Sequence, residues 1–140
     1  MSRENVELFR AQIEGFLTSG DLGGKDRLKL ADLYHPEIEW DVSESPVPDI
    51  AGVYRGRDAV LRFWREWLAA WEAVEFEYEL VDAGDRVVLL VNQRMRGRST
   101  GIEVPIGKYA QVATFRDGLM VHWKLYMSQE EALEAVGLRE

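Results

Sequence analysis

Hydrophobic positions along the chain switch between two periods, and the switches mark its elements. From Arg3 to about Thr18, Val6, Phe9, Ile13, Phe16 and Leu17 recur at helical spacing, with Glu4 and Glu7 suiting the positive end of a helix dipole. The spacing predicts an amphipathic helix that ends near Ser19-Gly20. After the turn Gly20-Asp21-Leu22-Gly23-Gly24, Leu28, Ala31 and Tyr34 share one side of a short second helix, closed by Pro36. Glu37 to Val42 then alternates polar and apolar, as a half-buried strand does. Ser43 to Gly56 holds two prolines, two glycines and several Ser, Asp and Glu, and reads as a loop able to act as a lid.

The clearest helix follows: Val60, Phe63, Trp64, Trp67, Leu68 and Trp71 form one aromatic stripe, with Arg62, Arg65, Glu66 and Glu72 facing away. From Val74 the period becomes two. A Gly84-Asp85 turn would pair Ala83 with Arg86, and counting back pairs Phe76 with Gln93 and Tyr78 with Val91 on the buried face. Glu77 with Asn92 and Glu75 with Arg94 then lie on the outer face. Gly97 to Gly101 turns into Ile102 to Arg116, and Asp117-Gly118 is a second hairpin signal. Unbroken counting there meets Thr114 with Val121, Val112 with Trp123 and Ala110 with Leu125 on the inner side. It leaves Tyr109 with Tyr126, Gln111 with Lys124 and Ala113 with His122 outside. Ser128-Gln129-Glu130-Glu131 is a capping-box pattern opening a last short helix that Gly137 closes. Helices followed by an antiparallel meander predict one α+β domain over residues 1–140, with helices covering one face of a curved sheet.

Composition narrows the function. The 140 residues are 46% hydrophobic and 30% charged, enough for one core without staples. The lack of cysteine removes disulfides, thiolate metal sites and thiol nucleophiles. A net charge of −8 opposes nucleic-acid binding, which depends on Lys and Arg displacing counterions. The absence of a long uncharged apolar run or a secretory signal predicts a cytoplasmic protein without membrane association. Five Trp, five Tyr and five Phe in so short a chain raise the question of what the rings line.

Several motifs have plain structural explanations. Gly97-Arg98-Ser99-Thr100-Gly101 fits G-x-S-x-G, yet strands flank it where a nucleophile elbow needs a strand and then a helix. Gly107-Lys108-Tyr109 has Tyr where a phosphate loop needs Ser or Thr. His35 and His122 have no partners at ligand spacing, so no metal site is expected; His35 reads as a helix-end residue. The row Glu75, Glu77, Glu79 is better explained by charge complementarity with the next strand. Asp41 is the candidate base, because a desolvated carboxylate at a strand end can take a proton from a carbon acid; a strand-end Asp bonded to local backbone is the alternative. Trp40, Trp64, Trp67 and Trp123, with Phe63 and Phe76, can fill a core or line an apolar pocket. Tyr34, Tyr54, Tyr78, Gln93 and Thr114 would supply its polar points, and Val91, Val112 and Leu125 its apolar wall.

Four stretches carry a family resemblance: Leu33 to Trp40, Gly52 to Val60, Phe115 to Leu119 and the closing Tyr126 to Leu133. Together they resemble the SnoaL-like family, in the superfamily of nuclear transport factor two and ketosteroid isomerase. The resemblance implies a cone-shaped curved antiparallel sheet wrapped on N-terminal helices, a hydrophobic pocket at the open end, no cofactor, and a homodimer through the outer sheet face. It leaves the reaction open, since its members include cyclases, isomerases, dehydratases, hydrolases and binders. Epoxide-hydrolase chemistry is disfavoured, because Leu125, Val91 and Gln93 stand where that activity needs charged groups. A cyclase or isomerase with Asp41 as base, a non-catalytic binder of a small hydrophobic ligand, and a structural dimerisation domain with a filled interior all follow as expectations.

Overall fold

A computed structural model describes residues 2–19, 33–45, 50–69, 71–97 and 103–138. Its helices are α1 (Ser2–Ser19), α2 (Arg57–Ala69) and α3 (Gln129–Ala135). Its strands are β1 (Tyr34–Asp41), β2 (Val53–Arg55), β3 (Trp71–Ala83), β4 (Arg86–Gly97), β5 (Glu103–Arg116) and β6 (Leu119–Tyr126). The six strands form one curved, unclosed sheet in the order β2-β1-β6-β5-β4-β3. The α+β class is as expected, but the sheet is mixed, because β1 runs parallel to β6. No hairpin links those two strands: most of the chain lies between them, which leaves the parallel pairing open to them.

Local chemistry moves three boundaries. Most of the short second helix expected before Pro36 lies outside the described residues, but its last expected member, Tyr34, opens β1. A residue before proline is restricted to extended backbone, so His35 belongs to a strand rather than a helix end, and its Nδ1 accepts from the Glu37 N–H at 3.0 Å. The β1–β6 register shifts between Tyr34 and Glu39, around the Pro36 that has no N–H for a ladder. The expected loop from Ser43 to Gly56 contains β2, which pairs Tyr54 with Trp40. Helix α2 stops at Ala69, and Trp71 opens β3 opposite Gly97 rather than ending the aromatic stripe.

The two hairpins differ by one residue. In β3–β4, Gly84 takes φ +82°, and Ala83↔Arg86, Tyr78↔Val91 and Phe76↔Gln93 pair without interruption up to Ala73. In β5–β6, Asp117 and Gly118 both adopt positive φ, +52° and +80°, as a tight two-residue hairpin requires. There Phe115 pairs with Met120 and Thr114 with His122, so Val121 is an extra residue and every later pair is displaced by one.

Helices α1 and α2 cover the inner face. Phe9 and Ile13 of α1 and Val60, Leu61 and Phe63 of α2 join one buried cluster with Ile38, Trp40, Val87, Leu89, Val91 and Trp123. Asn5 of α1 ties the helix to the hairpin through the Gly84 carbonyl at 3.2 Å. On the outer face a smaller cluster of Val88, Ala110 and Val112 is covered by Ala132 and Val136 at α3. Ser128 caps that helix, its Oγ accepting from the Glu131 N–H at 3.3 Å. No described helix is long and apolar enough to cross a membrane.

Candidate functional site

The inner face is organised around adjacent strands β1 and β6, whose register sets Trp40 beside Trp123. Their ring centroids lie 4.4 Å apart. Trp64 descends from α2 to 5.2 Å from Trp123 and 5.5 Å from Trp40. Phe63 meets Trp40 edge-on at 5.9 Å and Tyr54 at 4.9 Å. Tyr34 and Phe9 approach Trp123 at 6.2 and 5.9 Å. Tyr34, Trp40 and Trp123 are at most 2% exposed, so these three rings are core. Tyr54, Trp64, Tyr78 and Leu125 are only half-buried and border it. Val91 and Gln93 lie on the same face through their pairing with Tyr78 and Phe76. The side chains of Trp67 and Phe76 lie outside the described residues.

Polar groups on this face are neutral. Among the described residues the buried polar or charged side chains are Asn5, Gln93 and Gln111. The Trp123 indole N–H donates to Gln111 Oε1 at 2.8 Å. An indole N–H can only donate, so this bond fixes the amide with its oxygen toward Trp123 and its NH2 away. Tyr109 donates its hydroxyl to Gln93 Oε1, and burial pushes its pKa up, keeping the phenol protonated. Two further donors, the Tyr34 hydroxyl and the Trp40 indole N–H, are buried without a hydrogen-bond partner. Burial likewise raises the Tyr34 pKa. Arg57, at the start of α2, grips the Tyr34 carbonyl with Nε at 3.1 Å and Nη2 at 2.7 Å, which locks the backbone that carries this phenol.

Two expectations about the wall of the site are corrected by the Val121 bulge. Val112 pairs with Lys124 and belongs to the outer cluster beneath α3, and Thr114 pairs with His122. Their places on the inner side are taken by Tyr109, Gln111 and Ala113, which unbroken counting sets outside. Asp41 is also corrected as a base for this face. With Trp40 inward and no irregularity from Glu39 to Asp41, alternation turns its carboxylate to the outer face. There it accepts from the Ser43 N–H at 2.9 Å and lies 3.9 Å from Lys124 Nζ. Partial burial raises its pKa, but the Ser43 hydrogen bonds and the charges of Lys124 and His122 outweigh that and hold it below the ordinary value. Among the described residues no group of three His, Asp or Glu is placed to hold a metal ion.

An inner face of rings under two helices, on a curved six-stranded sheet, is the arrangement of the nuclear-transport-factor-two-like fold. The model of the SnoaL-like domain matches residues 9–123, and the chain belongs to that family. Similar solved structures include an NTF2-like protein of unknown function from Burkholderia pseudomallei K96243, at TM-score 0.72 and 21% identity over 98% of this chain and 99% of that one. TerC co-crystallised with polyporic acid follows at TM-score 0.68 and 18% identity, over 95% and 98% of the two chains. A putative isomerase from Bacillus subtilis gives 0.70 and 14%, over 97% and 94%. At these identities the likeness is one of fold. The sequence matches no curated protein.

Proposed function

We propose that the protein binds a small, largely apolar, ring-bearing molecule at the inner face of its sheet, without acid–base catalysis. One observation carries this reading: the polar side chains buried among the described residues are all uncharged amides, and two of them, Gln93 and Gln111, bond the Tyr109 hydroxyl and the Trp123 indole. Proton abstraction needs a group whose pKa lies near the working pH. The phenols of Tyr34 and Tyr109 are pushed up and away from that range, and Asp41 is turned outward. Apolar lining with a few convergent polar groups is what small-molecule sites use. A cyclase or isomerase role has support in the family match and in the name of the Bacillus neighbour. TerC with polyporic acid is in keeping with ligand binding by this fold. A homodimer would use the part of the outer face that α3 leaves open, around β1 and β6.

Tetralin, a bicyclic hydrocarbon, tests the reading. Titrated into the protein with excitation at the red edge of tryptophan absorption, it should change the indole emission saturably. Trp64→Ala should weaken binding, because Trp64 borders the buried rings, while Asp41→Asn should leave it within about twofold. No saturable response, together with no co-purifying small molecule in native mass spectrometry, overturns the proposal.

A further inference from the structure

Helix α3 reaches into the sheet with one side chain. Gln129, its first residue, is half-buried, and its Nε2 donates to the Val91 carbonyl at 3.3 Å and to the Tyr109 carbonyl at 3.2 Å. Val91 and Tyr109 are register partners on β4 and β5, so a single amide holds two strands from the side that α3 covers. Each carbonyl oxygen has two lone pairs and can take this donor in addition to a ladder bond. The ladder is faulted close by. Gln93 pairs with Gly107 and Arg94 with Pro105, so Ile106 is an extra residue, Gly107 adopts φ +89°, and Pro105 has no N–H to donate. Tyr109 follows just beyond this bulge, and its hydroxyl donates to Gln93 Oε1 across the same two strands. Its ring is half-buried against the inner cluster.

We infer that Gln129 is a positioning residue for the Tyr109–Gln93 pair: from the outer side of the sheet it fixes the backbone that aims the phenol at the amide on the inner side. This rests on the binding reading above, in which that pair is one of two neutral hydrogen bonds among the rings. A bulge bends its strand and interrupts the ladder, so the direction of the side chains beside it depends on whatever else pins the backbone. Gln129 works from a fixed base. Ser128 caps the start of α3, and Arg86 Nη1 donates to the Ala135 carbonyl at its other end at 2.9 Å. Helix stability does not explain an amide at this position. Glutamate suits the positive end of a helix dipole better, and the next two residues are Glu130 and Glu131. The neutral residue of that turn is the one whose side chain must donate.

The side-chain NH2 of Gln93 is the reporter, because its amide oxygen accepts the Tyr109 proton. Nitrogen–proton correlation spectra of Tyr109→Phe define where the Gln93 signals lie when that bond is absent. Gln129→Met keeps the length of the side chain and removes its donors. Gln129→Glu suits the helix start and turns an acceptor toward the two carbonyls. Both variants should move the Gln93 signals toward their place in Tyr109→Phe, and both should weaken tetralin binding about two- to tenfold, the range of one neutral hydrogen bond. In the Tyr109→Phe background, Gln129→Met should change neither the Gln93 signals nor the affinity any further, whereas a loss of melting temperature from the weaker docking of α3 persists. Gln93 signals that stay in place in both variants, or equal effects with and without the Tyr109 hydroxyl, overturn the inference, since Gln129 then serves only to dock α3. If tetralin does not bind the wild-type protein, the binding reading fails, and the Gln93 signals alone decide whether Gln129 holds the pair.

Discussion

The two faces of the sheet treat polar groups in opposite ways, one residue apart. Trp40 lies beside Trp123 on the inner face, and the next pair along the same strands, Asp41 with Lys124, is on the outer face. Outside, charges are partly solvated and compensated: Lys124 lies 3.9 Å from both Asp41 and Glu44, and Arg55 bonds Glu39 at 3.0 Å. Inside, the buried polar side chains are neutral, and the two glutamines on the strands are bonded to rings. Charge is costly to bury without a partner, whereas an amide or phenol is tolerated once bonded. The inner face therefore keeps neutral hydrogen-bonding groups among its rings, and the ion pairs lie on the other side of the same strands.

Breaking the inner face should have the largest effect. Trp123→Ala removes a ring that touches Trp40, Trp64, Tyr34 and Phe9, and should cost about 3–5 kcal/mol in urea unfolding. Gln111→Leu comes next. It leaves the Trp123 N–H buried without an acceptor, at a cost of about 1–3 kcal/mol read from the same unfolding curves. In a Trp123→Phe background that donor is already gone, and Gln111→Leu should cost much less. A cycle with no coupling would mean that the amide stabilises the fold by its packing alone.

How far these faces were legible in the sequence depended on whether water marked one of them. In β3, Glu77 and Glu79 are exposed and Tyr78 and Leu80 are not, so alternation set the β3–β4 register and placed Tyr78, Val91 and Gln93. The centre of the sheet is buried on both sides, by α1 and α2 within and α3 without: Val87 and Val88, consecutive residues, are both 0% exposed. Strand β5 reads Ala110-Gln111-Val112-Ala113, buried at both parities with no charged residue to mark an outer side, and such a pattern cannot reveal a one-residue slip. Val121 makes that slip, so Val112 and Thr114 were expected inside and Tyr109 and Gln111 outside. Trp40, Trp64 and Trp123 were legible as inner rings because their size leaves few other places for them. The Arg57 clamp on Tyr34 had no local signal, since it joins residues 23 apart through a backbone carbonyl.

The smallest effect should come from the outer face, where Asp41→Asn tests the charge pairing directly. The folded pKa of Asp41 lies below its ordinary value, so the unfolded chain takes up its proton first as pH falls. Its contribution is therefore fully present above the unfolded value of about 3.9 and disappears as pH falls through the folded value. Side chains 19% and 30% exposed at 3.9 Å form a loose pair, for which about 0.2–1 kcal/mol is the ordinary range. Urea midpoints of wild type and Asp41→Asn should differ by a constant small amount above about pH 5 and converge below about pH 4. A gap that persists unchanged to the acid end would assign the stabilisation to neutral contacts with Ser43 rather than to charge. Ligand affinity should not follow either curve, because the carboxylate and the rings occupy opposite faces of one strand.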